Sequence, residues 1–295
     1  MPTPKILIQL DSDSHASSFD AVVAVDAGVD QLLQYANIEA SKVQGLVHGA
    51  MFTRSPADLR NTAIFIGGSN VMLGEAIGKE IAKTFFGPIR VSTMFDGNGS
   101  NTTAAAAVLC ANRHIPPDQT TALVLGGTGP VGGRVARLLL RNGAKVYLTS
   151  RDVSRAASAK EGILEQVGGA AEDSSDTRIH AIGSDAIDSA LPEANVVFGC
   201  GAAGYELLSE EKLCSATNLR VAIDLNAVPP AGLGGIGVNE KAMRRGDRVD
   251  YGAIGVGGLK MKIHRRAIQK LFEQNDASFD AEEIFAIGQE LEAAR

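Results

Sequence analysis

Thr121-Ala-Leu-Val-Leu-Gly-Gly-Thr-Gly-Pro-Val-Gly-Gly-Arg134 is the stretch on which the fold turns. Apolar Ala122–Leu125 runs into Gly127-x-Gly129-x-x-Gly132, and an amphipathic pattern follows from Val131 to Asn142. A buried strand, a glycine turn and a helix in that order form a dinucleotide-binding loop. Gly127 is expected to make the tight turn, Gly129 to let a pyrophosphate touch backbone, and Gly132 to let helix and strand approach closely. Thr128, Pro130 and Val131 complete the loop. The helix start offers free N–H groups and a positive dipole end to phosphates.

A second strand is expected at Lys145–Thr149, followed by Ser150 and Arg151. NAD-selective loops carry an acid at this strand tip, for the ribose 2′-hydroxyl. None stands here, and Asp152 comes late. Ser150 can hydrogen-bond a 2′-phosphate, Arg151 can pair with it and Arg155 can assist. NADP is therefore the expected cofactor, with NAD accepted. The plainer alternative makes Arg151 and Arg155 a solvated helix start.

Further apolar runs predict strands at Ile6–Leu10, Ala21–Val25, Ala63–Ile66, Val196–Phe198 and Val221–Leu225. Helical patterns at Val71–Phe86, Thr102–Arg113 and Ser154–Val167 alternate with them. This alternation implies an α/β protein of two parallel-sheet domains with a cleft between them, the second of Rossmann type. Pro116-Pro117 marks the boundary. The expected domains are residues 1–115 with 258–295, and 116–257. Pro229–Gly258 reads as loops, and the helical segment from Leu259 returns to the first domain.

The 295 residues carry 28 basic and 34 acidic side chains, a net charge of −6. Such a chain neutralises few phosphates, so nucleic acid is not an expected partner. No apolar run of about 18 residues suggests a membrane span. Met1-Pro-Thr-Pro-Lys5 shows no signal-type pattern, so a cytoplasmic protein is expected, and a homo-oligomer on general grounds. Cys110, Cys200 and Cys214 read as buried thiols, and the five histidines show no metal-ligand spacing, so no metal site is expected.

Three other segments are polar beyond what a scaffold needs. Leu10-Asp-Ser-Asp-Ser14 with Phe19-Asp20 ends the first strand. Asp96-Gly-Asn-Gly-Ser-Asn-Thr-Thr103, with Asp96, Asn98 and Thr102, suits a ligand bearing amides or hydroxyls; alternatively Ser100 or Asn101 merely caps a helix. Gly255-Val-Gly-Gly-Leu-Lys260 reads as a glycine loop delivering Lys260 and Lys262 beside a helix start, or as a solvated face. Ile66-Gly-Gly-Ser-Asn70 is a further strand-to-helix turn.

Taken together, Phe19-Asp20-x-Val-Val, Phe65-Ile-Gly-Gly, Phe85-Phe-Gly-Pro88, Asn98–Ala104, Gly127–Gly132, Gly255–Lys260 and Phe279-Asp-Ala-Glu-Glu283 resemble the bacterial methylene-tetrahydromethanopterin dehydrogenases. The resemblance covers almost the whole chain. It implies two α/β domains, similar to those of the methylene-tetrahydrofolate dehydrogenases, with pterin on one side and NADP on the other. It implies hydride transfer from the methylene bridge of the pterin, giving a methenyl bridge, within the one-carbon metabolism of formaldehyde oxidation. It places the family's active-site lysine at Lys260 and its 2′-phosphate arginine at Arg151. Asp20, Asp96, Asn98 and Thr102 become candidate pterin contacts.

Hydride transfer moves no proton, and no acid–base dyad is visible. A carboxylate such as Asp20 or Asp96 would favour the amidinium-like charge that develops. Lys260 is expected at the pterin edge, or neutral through burial. Three alternatives stay open: a folate-linked dehydrogenase/cyclohydrolase, a non-catalytic NADP sensor, and a short-chain or shikimate-type dehydrogenase. The last lacks its YxxxK, since Tyr251 is followed by Gly255.

Overall fold

The computed structural model describes residues 3–168 and 177–294. From the start run β1 (Ile6–Leu10), α1 (Ser18–Asp26), β2 (Gln31–Tyr35), α2 (Gln44–Phe52), β3 (Thr62–Ile66), α3 (Val71–Thr84), β4 (Ser92–Phe95) and α4 (Ser100–Asn112). Then come β5 (Thr121–Leu125), α5 (Pro130–Arg141), β6 (Lys145–Ser150), α6 (Val153–Gly168), β7 (Ile179–Gly183), α7 (Ile187–Ala190) and β8 (Val196–Gly199). The rest is α8 (Glu210–Ser215), β9 (Val221–Asp224), β10 (Lys241–Arg245), β11 (Arg248–Tyr251), α9 (Ala253–Lys270), β12 (Ser278–Phe279) and α10 (Ala281–Ala293).

The chain divides into two compact units. One runs to Thr102 and resumes at Met261; the other is Thr103–Lys260, so the divisions fall inside α4 and α9. In the first unit the strand order is β12-β4-β3-β1-β2, every pair parallel. Ile8, Leu10, Ile64 and Ile66 pack on Val47, Met51, Ile77 and Ile81 to form the core on one face. In the second unit the order is β10-β11-β9-β8-β5-β6-β7, parallel except for the β10–β11 hairpin. Both units are thus of the α/β class expected.

Several elements differ from the sequence reading. Ala21–Val25 is helix, not strand. Ser17 caps α1 by accepting the Asp20 N–H, and only Val23 and Ala24 of the helix are buried. The neighbouring strand is instead β2. Pro229–Gly258 is not all loop: it holds β10, β11 and the start of α9. Charge hid the hairpin, whose Arg245 pairs with Glu240 and Asp250 while Arg248 pairs with the fully buried Asp250. The tail is not purely helical, since β12 adds a parallel edge to β4. Cys110 is buried as expected, but Cys214 is exposed.

Gly255–Lys260 lies within α9 rather than in a loop. A methyl on Gly255 would overlap the Glu240 carbonyl oxygen, so this glycine lets the segment before β10 seat against the helix. Gly257 and Gly258 meet nothing within 4 Å and leave the helix surface bare. Gly255→Ala should therefore cost at least about 1–3 kcal/mol through overpacking. Gly257→Ala should gain about 0.5–1 kcal/mol from helix propensity. Denaturant unfolding of the two variants side by side checks this, and equal effects would refute the packing role.

Candidate functional site

The second unit presents a cavity of about 370 Å³ at the carboxyl ends of its central strands. The chain leaves β5 for β6 and β7 on one side, then returns to β8 on the other. Such a reversal opens a crevice between the loops after β5 and β8, the usual ligand site of open α/β sheets.

The glycine loop builds one wall, with its labour divided differently from expectation. The left-handed turn falls on Gly126, with φ of +69°, and a methyl there would come 2.6 Å from the Gly201 α-carbon. Gly127 instead packs against Leu148 of β6. Gly129 is the N-cap of α5 and Pro130 its first residue, a position where the missing proline N–H removes no bond. A methyl on Gly132 would sit 2.6 Å from the Gly126 carbonyl oxygen, so the close approach expected of the third glycine is present. Thr128 and Gly129 line the cavity. Gly127, Pro130, Val131 and Gly132 are not among the residues that line it.

Ser150, Arg151 and Arg155 also line the cavity. Asp152 does not. Its carboxylate accepts the Ser154 N–H at 2.8 Å and caps α6, and that bond holds its pKa below the ordinary aspartate value. This occupation explains why no acid stands free beside the strand tip. Spacing alone does not single out the remaining wall: Ser184 and Ile187 beyond β7, and Cys200–Ala202 with Tyr205–Leu207 beyond β8. The available signal was Gly199-Cys-Gly-Ala-Ala-Gly204, a second small-residue run directly after a buried strand. The Cys200 thiol is pushed well up, first by burial and then by the Asp224 charge, which leaves it protonated and a poor nucleophile.

The first unit has its own reversal, between β1 and β3. The turn after β3 is pressed against the turn after β1: a methyl on Gly68 would overlap the Ser12 hydroxyl. Asp13 accepts both the N–H and the hydroxyl of Ser69, each at 2.9 Å. The half-buried Asp20, in the first turn of α1, brings its carboxylate within 3.4 Å of where a Gly67 methyl would lie. The exposed Asn98, in the left-handed region with φ of +53°, donates its N–H to the Gly68 carbonyl at 2.7 Å. Asp20 and Asn98 therefore both lie against the buried Gly67-Gly68 turn.

Asp96 and Thr102 bond to each other and to the start of α4. Both are buried, at 1% and 0% exposure. The Asp96 carboxylate accepts the N–H groups of Asn101 and Thr102, at 2.9 and 3.1 Å, and the Thr102 hydroxyl at 2.7 Å. Asp96, not Ser100 or Asn101, is thus the acceptor at the start of α4. Lys260 is half-buried within α9, and Lys262 is exposed. Among the described residues, no three His, Cys, Asp or Glu side chains are set to hold a metal ion, and no helix is long and apolar enough to cross a membrane.

Comparison with known proteins matches residues 18–98 to the N-terminal family model of methylene-tetrahydromethanopterin dehydrogenase. The bifunctional protein MdtA of Methylorubrum extorquens is 40% identical over 291 residues, covering 97% of this chain and 99% of its own. The NAD(P)-dependent methylenetetrahydromethanopterin dehydrogenase of the same organism is 33% identical, covering 92% and 93%. Among solved structures, quinate dehydrogenase from Corynebacterium glutamicum in complex with NAD covers 98% of this chain and 100% of its own at 14% identity, with a TM-score of 0.50. That likeness concerns the fold alone.

The burial of Asp96 yields a direct check. Asp96→Ala should lower stability by about 2–4 kcal/mol, because three buried donors lose their acceptor. Calorimetric or denaturant unfolding reads this. Loss of pterin binding with unchanged unfolding would return Asp96 to the ligand.

Proposed function

The chain belongs to the methylene-tetrahydromethanopterin dehydrogenase family, and from that membership we propose that it is a cytoplasmic oxidoreductase using NADP to oxidise a pterin-bound methylene bridge to a methenyl bridge. The observation that carries the reading is identity of 40% and 33% sustained along nearly the whole chain. The cavity beside α5 adds chemical support. Its side-chain-free Gly129 at a helix start suits a pyrophosphate, and Ser150, Arg151 and Arg155 on its rim suit a 2′-phosphate.

A nicotinamide cofactor, when bound, would supply the hydride acceptor for the bridge. The chain's own residues supply position and field. The first turn of α5 holds the pyrophosphate, and Arg151 with Arg155 fixes the adenosine end. The pterin is assigned to the first unit, beside Asp20 and Asn98 at the Gly67-Gly68 turn. There the Asp20 carboxylate favours the positive charge that spreads over two nitrogens as hydride leaves. Asp96 and Thr102 act indirectly, by fixing the segment that carries Asn98. Lys260, beside the bare backbone of Gly257 and Gly258, is assigned to orient the reacting ring. Orientation of two planar reactants can account for roughly 7–11 kcal/mol of barrier lowering. No step transfers a proton, so the reading needs no acid–base pair.

Two variants and one assay test this. Absorbance of NADPH is followed with methylene-tetrahydromethanopterin and methylene-tetrahydrofolate in parallel, and no turnover with either would refute the reaction. Arg151→Ala should weaken NADP by about 10–150-fold, the loss of one charge-assisted contact worth about 1.5–3 kcal/mol. NAD affinity should hold, and equal weakening of both would remove Arg151 from the phosphate. Lys260→Ala should lower kcat by about 100-fold, the scale of a misplacement near 1 Å, with NADP affinity and melting unchanged. Lys262→Ala, around the helix from it, is the control and should stay near wild type. A kcat for Lys260→Ala within about twofold of wild type would overturn its role.

A further inference from the structure

β9 ends on Asp224, which is 2% exposed and stands opposite Gly199 of β8 in the parallel register. It is not among the residues that line the cavity. Its carboxylate gathers three backbone N–H groups. One oxygen accepts from Asn226 at 3.1 Å; the other accepts from Gly232 and Leu233, at 2.8 and 3.2 Å. Burial raises the pKa of this carboxyl against the pull of those N–H groups. A charge in so dry a place is tolerated only where such bonds meet it.

From Asp224 the contacts continue toward the cavity. The Gly232 carbonyl accepts the N–H groups of Leu207 and Leu208, at 2.7 and 3.3 Å. Leu207 packs over Gly201, where a methyl would come 2.7 Å from the leucine side chain. Leu207, Gly201 and Cys200 all line the cavity beyond β8. There is no slack at the inner end either. A methyl on Gly199 would lie 3.0 Å from the Asp224 carboxylate, and one on Gly232 2.7 Å from it. Arg151 and Arg155 follow β6, on the other side of β5. A dinucleotide with its 2′-phosphate there and its pyrophosphate at the start of α5 extends its nicotinamide half toward β8.

We propose that Asp224 is a positioning residue for the nicotinamide half of the dinucleotide: through Gly232 and Leu207 it fixes the wall against which that half rests. The assignment rests on the dinucleotide reading of the cavity. Asp224 itself touches neither cofactor nor substrate. It keeps the Gly232 carbonyl within reach of the Leu207 N–H, and with that bond lost Leu207 withdraws from Gly201. The adenosine half, held at the opposite wall, does not depend on it.

Two variants break the link from opposite sides. Asp224→Asn keeps the shape but turns an NH2 group onto one or other of the backbone N–H groups. Gly232→Ala keeps the carboxylate and sets a methyl against it; the Gly232 backbone is outside the left-handed region, so the methyl acts through that contact. Calorimetry reads the binding of NADP and of 2′,5′-ADP, which carries the adenosine end alone. Mass spectrometry reads alkylation of Cys200 by iodoacetamide without cofactor. Each variant should weaken NADP by about tenfold or more and leave 2′,5′-ADP within about twofold. Each should also alkylate Cys200 faster. Leu219→Ala, buried just before β9, loosens the core of the same unit and should change none of the three. Asp224→Asn also removes a charge that helps keep the Cys200 thiol protonated. Faster alkylation in that variant alone therefore reports charge and overturns the proposal. So does an NADP affinity that stays within about twofold of wild type in either folded variant, or a parallel loss of 2′,5′-ADP. A variant that loses its circular dichroism is judged by the other, and loss in both overturns a positioning role, since Asp224 then holds the unit and not the wall. A wild type that binds neither ligand refutes the dinucleotide reading itself and the proposal with it.

Discussion

The carbonyl oxygen of Gly126 lies so close to the α-carbon of Gly132 that no side chain fits between them. Much of the second unit depends on that contact. It presses the first turn of α5 against the end of β5, which aims the helix start at the crevice rather than past it. The left-handed turn at Gly126 then carries the loop against Gly201, beyond β8. The two walls of the cavity are therefore locked to each other through bare backbone. A methyl at any of these points would push a wall outward, a cost felt as geometry before it is felt as stability.

The first unit solves the same problem with polar groups. Its reversal is held by Asp13 on Ser69, by Asn98 on Gly68 and by Asp96 on the start of α4. The first two join a loop at the carboxyl edge to its neighbour, and the third closes the connection between β4 and α4 on itself. Buried donors paired with a carboxylate hold position tightly, because the unpaired state is costly in a dry environment. The segments that looked rich enough to be ligand sites are in large part internal bracing, and the half-buried Asp20 and the exposed Asn98 are the least enclosed of their candidate residues.

Glycine made the most legible signals, because its reasons are local. The loop at Gly127–Gly132 announced a strand, a turn and a helix, and all three are present. The same residue misled at Gly255, where the missing side chain serves packing inside a helix and not a turn. Ala21–Val25 has the composition of a strand, but Ser17 caps it as a helix and only one stripe is buried. β2 was hidden by its amides and exposure, since an edge strand lacks the continuous apolar run of a central one. The β10–β11 hairpin was hidden by charges that neutralise one another only once folded. Ser184 and Tyr205 enter the cavity through strand order, which spacing along the chain does not encode.

Asp152 has a consequence for how cofactor preference can drift. The acid nearest the tip of β6 is spent on capping α6. Ser150 and Arg151, on the cavity side, hold no structural post of that weight. Under the proposed role of Ser150 and Arg151, helix integrity and nucleotide choice would sit on neighbouring residues, so that the residues at 150 and 151 could be exchanged while the helix behind stays wound.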